Sequence, residues 1–330
     1  MTYNFEAYLD MPANINKKIK LDHIINKVKL IDFFELNGSL VYYKHDALDP
    51  WILADKILHL SNKHTPIIAL QPYTMEPITA AKMIYTITQL HNRKVNINMI
   101  SGGLHKDLEK SGNELSREER YKRICEYSYL LKAFLSSNDP ITFRGDFYNY
   151  RKINIYSELK TNLIPHIFIS ENNMSEVGLQ AAAKYGDIFL TNPLPVTDFR
   201  REVMKCSKFI PNEFGIRLGI VTRPDGTDAK LDAKKNKDLN FRYREILKYQ
   251  MYNSYGKDQV YYPISNEYGD CPLLVGSYKE VSNYLKEYWD IGVKTIILSQ
   301  LNNEEDIKHV STILQKLKDN KSQKPHIKRR

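Results

Sequence analysis

The feature that most constrains this chain is a regular alternation of short apolar segments with longer amphipathic ones. The apolar segments have the length of strands, and they lie at 4–9, 39–43, 66–70, 95–100, 165–169, 187–190, 213–221 and 295–298. The amphipathic segments repeat their apolar residues at helical spacing, and they lie at 21–36, 50–60, 78–90, 116–135, 175–185, 196–207, 277–291 and 303–317. This order predicts parallel β/α units.

Parallel β/α units can form an open nucleotide-binding sheet or a closed barrel. No G-x-G-x-x-G motif follows the first strand, which counts against the open sheet. We therefore predict one (β/α)8 barrel over residues 1–318, with its functional site at the C-terminal ends of the strands. The polar, Tyr-rich segment at about 223–272 is predicted to be an irregular insertion after strand 7, and 319–330 a basic tail.

Composition excludes several classes of protein. Hydrophobic residues make up 42% and charged residues 26%, which is enough apolar material for a large core. No apolar run reaches the ~18 residues that span a bilayer. The three cysteines are widely spaced and predict neither disulfides nor a metal site, so we expect a cytoplasmic protein. The net charge of +9 owes much to seven Lys and Arg residues within 316–330, and we expect no nucleic-acid partner.

Several stretches together resemble the luciferase-like flavin monooxygenases, most closely the alkanesulfonate monooxygenase branch. They lie at 69–83, 98–103, 117–135, 143–155, 214–221 and 273–299, and they keep the family's order. The resemblance implies a barrel of the bacterial luciferase type that uses reduced FMN from a separate flavin reductase and O2 to oxidise a small-molecule substrate. It also implies a homodimer or a dimer of dimers.

Four positions depart from the alkanesulfonate branch. Gly219 stands where the family has a His, Ala47 where it has a Cys, and Leu301 where it has a Tyr, while the segment 265–270 replaces an Arg-containing loop. We therefore expect a substrate other than a simple alkanesulfonate. Two alternatives stay open: a catalytically silent flavin- or ligand-binding barrel, and an oxidoreductase that uses a deazaflavin.

The resemblance implies that Tyr121, Ser170 and Ser175 bind the flavin phosphate. Backbone N–H groups at a helix N-terminus suit a phosphate, and Ser175 precedes a predicted helix. The alternative is that Ser175 serves only as the N-cap of that helix. Glu171 in the same loop would repel a phosphate.

The flavin ring has its own candidates. Asn98 ends the fourth predicted strand, where a family Asn reaches the ring, and its amide offers a donor and an acceptor. Gln71 replaces a family Arg at the end of the third strand. Ser101 begins a Ser-Gly-Gly turn whose backbone can pass close to a ligand.

Arg217 is the first catalytic candidate, because it is a charged residue within an apolar strand. The resemblance places it at the active site, where it would stabilise negative charge or bind an acidic substrate. An ion pair with Glu213 or Asp187 is the structural alternative. Gly219 lies on the same face of the strand and is expected to leave room for substrate.

Three histidines are candidate acids or bases, although a lone His is more often structural. They are His45, His105 and His166. His105 lies four residues after Ser101 and is the strongest of the three.

Overall fold

The structure is a computed structural model that describes residues 2–11, 21–45, 47–102, 108, 111–155, 158–172, 174–206, 209–235, 260–262, 271–299, 301 and 303–319. Its strands are β1 (Glu6–Asp10), β2 (Gly38–Val41), β3 (Thr65–Leu70), β4 (Asn96–Ile100), β5 (Ile141–Arg144), β6 (Asn149–Ile153), β7 (Ile167–Ser170), β8 (Ile188–Thr191), β9 (Phe214–Arg223), β10 (Tyr261–Tyr262), β11 (Leu273–Ser277) and β12 (Val293–Leu298). Its helices are α1 (Leu21–Phe33), α2 (Pro50–Leu60), α3 (Pro77–His91), α4 (Arg117–Ser136), α5 (Glu176–Tyr185), α6 (Val196–Lys205), α7 (Gly226–Lys235), α8 (Tyr278–Ile291) and α9 (Glu304–Asp319).

The predicted eight strands close into a parallel barrel. They follow one another in the order β1, β2, β3, β4, β7, β8, β9 and β12, and β12 pairs with β1 to close the ring. The strands β5 and β6 form a separate antiparallel hairpin. The fold class is therefore confirmed as a (β/α)8 barrel, and each predicted strand and helix overlaps an observed one.

Side-chain chemistry fixes several helix starts. Ser116 accepts a hydrogen bond from the Glu119 backbone while the Glu119 carboxylate accepts one from the Ser116 backbone, which is the capping box that begins α4. Ser277 and Glu280 repeat this arrangement at α8. Each cap contributes about 1 kcal/mol to stability. Because each cap determines where its helix begins, it also determines which side chains of that helix pack against the barrel strands.

The inside of the barrel is packed with side chains rather than hollow. The interior cluster contains Tyr8, Leu40, Ile67, Phe168, Ile188, Leu190 and Ile297, all buried. Burial of each such side chain stabilises the fold by about 1.5–3 kcal/mol. Near the C-terminal ends of the strands the inward-facing residues become polar, with Asp10 on β1, Asn98 on β4 and Arg217 on β9 among them. Polar side chains therefore face a ligand that enters the C-terminal end of the barrel.

The segment after strand 7 is more regular than the sequence predicts. Residues Gly226–Lys235 form α7, and β11 pairs in parallel with the C-terminal half of β9. Ala229 and Ala233, one turn apart, pack on Val221 and Leu273 of these strands. The prediction of irregular structure is wrong for α7. The buried face of this helix consists of two small alanines, which is too little apolar material for the sequence to show a helical pattern. Residues 236–259 and 263–270 lie outside the described residues, and the domain boundaries stay a prediction.

None of the described helices is both long and apolar enough to cross a membrane.

Candidate active site

A cavity of about 470 Å³ opens at the C-terminal end of the barrel. Its walls come from the segments that follow β2, β3, β4 and β7 and from the first turns of α4. The lining residues are Tyr43, Lys44, His45, Gln71, Tyr73, Ile100, Ser101, Gly102, Leu108, Arg117, Arg120, Tyr121, Ser170, Glu171 and Asn172. Four of the predicted cofactor residues, Gln71, Ser101, Tyr121 and Ser170, therefore share one cavity.

Hydrogen bonds join Tyr121, Ser101, Ser170 and Asn98 into one group. The Tyr121 hydroxyl donates to the Ser170 carbonyl at 3.4 Å and also meets the Ser101 side chain. The Ser170 hydroxyl donates to Asn98 Oδ1 at 2.5 Å. Burial raises the pKa of Tyr121, so its phenol stays neutral and keeps its proton. Asn98 is buried beside the cavity and reaches it through Ser170.

Two buried polar atoms of cavity-lining residues have no partner among the described residues. They are Oε1 of Gln71 and Nε of Arg120. The rest of the Arg120 guanidinium is anchored, because Nη1 donates to the Leu115 carbonyl at 2.7 Å. A buried polar atom without a partner costs about 1–3 kcal/mol, so both atoms favour a ligand that pairs with them.

Glu171 occupies the N-terminus of α5, where a phosphate is predicted. Its carboxylate accepts hydrogen bonds from the Ser175 backbone at 3.2 Å and from the Ser175 hydroxyl at 2.8 Å, and it forms an ion pair with Arg117. A side chain at Gly178 would overlap this carboxylate. Ser175 caps α5 through the Gly178 backbone, so its hydroxyl lies with Glu171 and not on the cavity wall.

Arg217 points into the barrel at the mouth, as the alternation along β9 predicts. Its Nε donates to the Ser299 hydroxyl at 2.9 Å, and its guanidinium carbon lies 5.2 Å from the centre of the Tyr42 ring. The Tyr42 hydroxyl donates to Asp10 at 3.3 Å, and Asp10 pairs with Lys27. Burial, and then the Asp10 carboxylate, raise the pKa of Tyr42, which is therefore neutral.

The expected ion pairs of Arg217 do not form. Glu213 accepts a hydrogen bond from Thr295 at 2.7 Å, and Asp187 pairs with Lys132 at 2.8 Å. No carboxylate of the described residues lies within 4.0 Å of the Arg217 guanidinium. Arg217 is partly buried and no described carboxylate pairs with it directly, so an anionic ligand at this position would be favoured.

The space expected at Gly219 is filled by the protein itself. A Cβ at this position would overlap the end of the Leu273 side chain. Leu273 is buried and is the register partner of Gly219 in the β9–β11 pair. The absence of a side chain at Gly219 therefore accommodates Leu273 and not a substrate group, and the prediction of extra room is wrong.

The three histidines have different positions. His45 is exposed, lines the cavity and stacks edge-on against Tyr43. His166 precedes β7 at the opposite end of the barrel, where burial and then Lys94 lower its pKa. That position rules His166 out of this cavity. His105 lies outside the described residues.

The comparison with known families decides what this barrel is. The family described as luciferase-like monooxygenase matches residues 68–295. The chain belongs to this family. Its enzyme class is therefore that of a flavin-dependent monooxygenase.

Individual relatives agree with the family assignment. The chain is 30% identical over 314 residues to the 4-(γ-L-glutamylamino)butanoyl-[BtrI acyl-carrier protein] monooxygenase BtrO of Niallia circulans, covering 90% of this chain and 92% of that protein. Its fold is similar to EDTA monooxygenase EmoA from Chelativorans sp. BNC1, with a TM-score of 0.73, 13% identity and coverage of 95% and 94%. It is also similar to DmoA from Hyphomicrobium sulfonivorans, with a TM-score of 0.71, 14% identity and coverage of 95% and 88%.

One wall of the cavity in this luciferase-like monooxygenase is positively charged, and the sequence analysis did not identify it. Lys44, Arg117 and Arg120 line it, and among the described residues of its wall Glu171 is the one acidic side chain. Arg117, Arg120 and Tyr121 stand at positions i, i+3 and i+4 of α4, a spacing that places all three on one face of the helix. That spacing was visible in the sequence and could have identified them together with Tyr121.

Proposed function

We propose that this protein is an FMNH2-dependent monooxygenase, supplied by a separate flavin reductase, that uses O2 on an organic substrate. The observation that carries the proposal is the cavity with two unpartnered buried atoms, an Arg120 donor and a Gln71 acceptor. A flavin phosphate needs donors and positive charge, and a flavin ring edge needs amide-type partners. The residues present therefore fit the cofactor.

The phosphate end would be held by Arg117, Arg120, Tyr121 and Ser101, with Ser170 in support. Gln71 would contact the flavin ring directly. Asn98 would act on the ring through Ser170, whose hydroxyl donates a hydrogen bond to Asn98. Ser175 would not touch the cofactor, because its hydroxyl is hydrogen-bonded to Glu171. Reduced flavin supplies the chemistry with O2. The protein would bind and orient the flavin and the substrate, and it would exclude water from them.

Arg217 would bind an anionic group of the substrate. Its guanidinium keeps its charge under all conditions, and its fork pairs well with a carboxylate. Tyr42 holds one face of the guanidinium, and Ser299 fixes Nε. The remaining N–H groups can then serve a ligand that enters from the mouth.

The substrate class we propose is an acyl group with a polar, anionic terminus, carried as a thioester on a carrier protein. The relative BtrO, which matches 90% of this chain, is named for such an acyl-carrier substrate. A glutamyl terminus carries a carboxylate, which Arg217 would match. A simple alkanesulfonate is not proposed, because four positions of the alkanesulfonate branch are replaced.

The test begins with cofactor binding under anaerobic conditions. We expect fluorescence titration to show tighter binding of reduced FMN than of oxidised FMN, and weak binding of FAD. Oxygen uptake is then followed with FMNH2 and three substrates: an acyl-carrier thioester, the free acid and an alkanesulfonate. Thioester-dependent oxygenated product supports the proposal. Flavin binding without any product would indicate a silent barrel, and selective binding of a deazaflavin would overturn the FMN assignment.

We also propose that the protein is a homodimer, alone or within a dimer of dimers. An apolar groove of about 720 Å³ runs between α2 and α3 on the outside of the barrel. Ile52 and Leu90 on its walls are 74% and 72% exposed, and together with the groove they form a continuous apolar surface of the kind that marks an interface. A second copy would cover the same groove on both chains, as a two-fold contact requires.

A further inference from the structure

Three metal-ligand side chains meet on the outside of the barrel, away from the cavity. Asp55 and His59 lie one turn apart on α2, and His91 ends the neighbouring helix α3. One ligand atom from each residue lies within 4.8 Å of the other two. The distance from His91 Nε2 to Asp55 Oδ1 is 2.8 Å, and that from His59 Nδ1 to Asp55 Oδ2 is 3.6 Å.

We propose that Asp55, His59 and His91 bind a divalent transition metal ion of the zinc class. Two imidazole nitrogens and one carboxylate oxygen are a common zinc ligand set. In a tetrahedral site with bonds of about 2.0–2.1 Å, ligand atoms are about 3.4 Å apart. His91 is 2.8 Å from Oδ1 of Asp55 and His59 is 3.6 Å from Oδ2, so a rotation of the Asp55 carboxylate is needed to bring one oxygen between the two rings. His59 Nδ1 also lies 3.1 Å from the Asp55 carbonyl oxygen and would leave that contact to bind the ion.

The helix ends supply a second, independent reason for a cation here. His59 lies in the last turn of α2 and His91 in the last turn of α3. The C-terminal end of a helix carries partial negative charge from its free carbonyl groups, which favours positive charge nearby. Two helix ends therefore add to the Asp55 carboxylate in attracting a metal ion.

The exposure of the three side chains fits a site with one open position. The His91 side chain is 10% exposed, whereas those of Asp55 and His59 are 42% and 61% exposed. His91 thus forms the fixed inner ligand, while the two residues on α2 adjust around the ion. Asp55 also lines the groove between α2 and α3, so the ion would lie at the edge of the proposed contact between copies, and water or a group of the second copy would complete its coordination.

The position of the cluster indicates a structural role for the ion. The C-terminal ends of α2 and α3 lead into the starts of β3 and β4, at the end of the barrel opposite the cavity. A metal ion at this place would tie α2 to α3 and stabilise their packing. It would take no part in the oxygen chemistry, so its binding can be tested without flavin or substrate.

The experiment uses the full-length chain without an affinity tag, stripped of metal by a chelator. Co²⁺ is titrated and followed by its visible absorption, which is characteristic of tetrahedral coordination, and Zn²⁺ binding is measured by calorimetry. We expect one ion per chain and a rise of the melting temperature with Zn²⁺ but not with Mg²⁺. Mg²⁺ prefers oxygen ligands and octahedral geometry, so it serves as the control ion.

Two variants and a matched control assign the ligands. His59→Gln and Asp55→Asn should each weaken Zn²⁺ binding at least tenfold and remove the Co²⁺ spectrum, while circular dichroism stays unchanged because both side chains are partly exposed. His23→Gln removes an exposed histidine on α1 and should change nothing. Binding that survives both ligand variants, or that is lost with His23→Gln, would overturn the proposal. Absence of any Zn²⁺ effect on the unmodified chain would do the same.

Discussion

At the scale of single residues, β9 carries two arginines with opposite surroundings. All three nitrogens of Arg223 are bonded: Nε donates to Asp232 at 2.8 Å, Nη2 to Asp306 at 2.7 Å and Nη1 to the Thr222 carbonyl at 2.8 Å. Arg217, six residues earlier, has a hydroxyl and an aromatic face but no paired carboxylate among the described residues. The first arrangement stabilises the fold, and the second is available for a ligand.

The substitution Arg217→Lys tests this assignment. Lysine keeps the positive charge but loses the planar fork and the Nε bond to Ser299. We expect kcat/KM for the substrate found in the oxygenation assay to fall tenfold or more, about 1.4 kcal/mol, with little change in melting temperature. Both quantities are measured on the same preparation.

Arg223→Lys is the matched control on the same strand. Lysine cannot satisfy both carboxylates and the carbonyl at once, so we expect stability to fall by about 1–3 kcal/mol. Turnover per folded molecule should stay near normal. If Arg217→Lys behaves in the same way as Arg223→Lys, Arg217 is structural and leaves the substrate site.

The Glu171 carboxylate is expected to weaken binding of the flavin phosphate. It places a negative charge beside the proposed phosphate position and pairs with Arg117. Glu171→Gln removes that charge and releases Arg117. We expect reduced FMN to bind about fivefold more tightly, which corresponds to about 1 kcal/mol of repulsion removed. Anaerobic fluorescence titration measures the two dissociation constants.

Riboflavin is the control ligand for Glu171→Gln, because it has the flavin ring but no phosphate. Its affinity should be the same for both proteins if Glu171 acts on the phosphate. An equal gain for riboflavin and FMN would contradict the phosphate assignment and indicate a general loosening of the loop.

At the scale of elements, the β9–β11 pair depends on the absence of a side chain at Gly219. Leu273 fills the space beside this residue and joins Val221, Ala229, Ala233 and Val275 in a small cluster under α7. Gly219→Ala should therefore overpack this cluster and lower the free energy of unfolding by about 1–3 kcal/mol. Urea unfolding followed by circular dichroism measures the loss.

The double variant Gly219→Ala/Leu273→Ala separates overpacking from other effects. Leu273→Ala alone creates a cavity, but in the double variant the new methyl group occupies part of it. The double variant should then be more stable than the sum of the two single changes predicts. Strict additivity would show that Leu273 and Gly219 do not compete for space.

The sequence predicted the barrel well because helical spacing and strand length repeat along the whole chain. The helix predicted at 116–135 starts where α4 starts, because the capping box of Ser116 and Glu119 is a local signal. The sequence could not predict β11 or the filling of the Gly219 space, because both depend on a pairing between distant segments. It also could not show that the Glu171 carboxylate binds the N-terminus of α5, since that depends on side-chain direction within the loop.

At the scale of the whole molecule, the surface is uneven in its apolar character. Large exposed apolar side chains occur singly on several helices, such as Phe33 on α1 and Met204 on α6. Isolated residues of this kind are ordinary on a soluble protein. Between α2 and α3, by contrast, two of them, Ile52 and Leu90, border a continuous apolar groove. That continuity distinguishes an interface from scattered exposure.

Charges placed in this groove should separate the two copies. Ile52→Glu combined with Leu90→Glu places two charges on each copy within the contact, and by two-fold symmetry four in the whole interface. Burying unpaired carboxylates is strongly unfavourable, so we expect the homodimer to dissociate into folded monomers at micromolar concentration. Light scattering coupled to size exclusion measures the mass, and circular dichroism confirms the fold. Met204→Glu, at a position 71% exposed on α6, is the control and should leave the mass unchanged. A native chain that is already monomeric, or a dimer that survives both charges, would show that the groove is not the contact between copies.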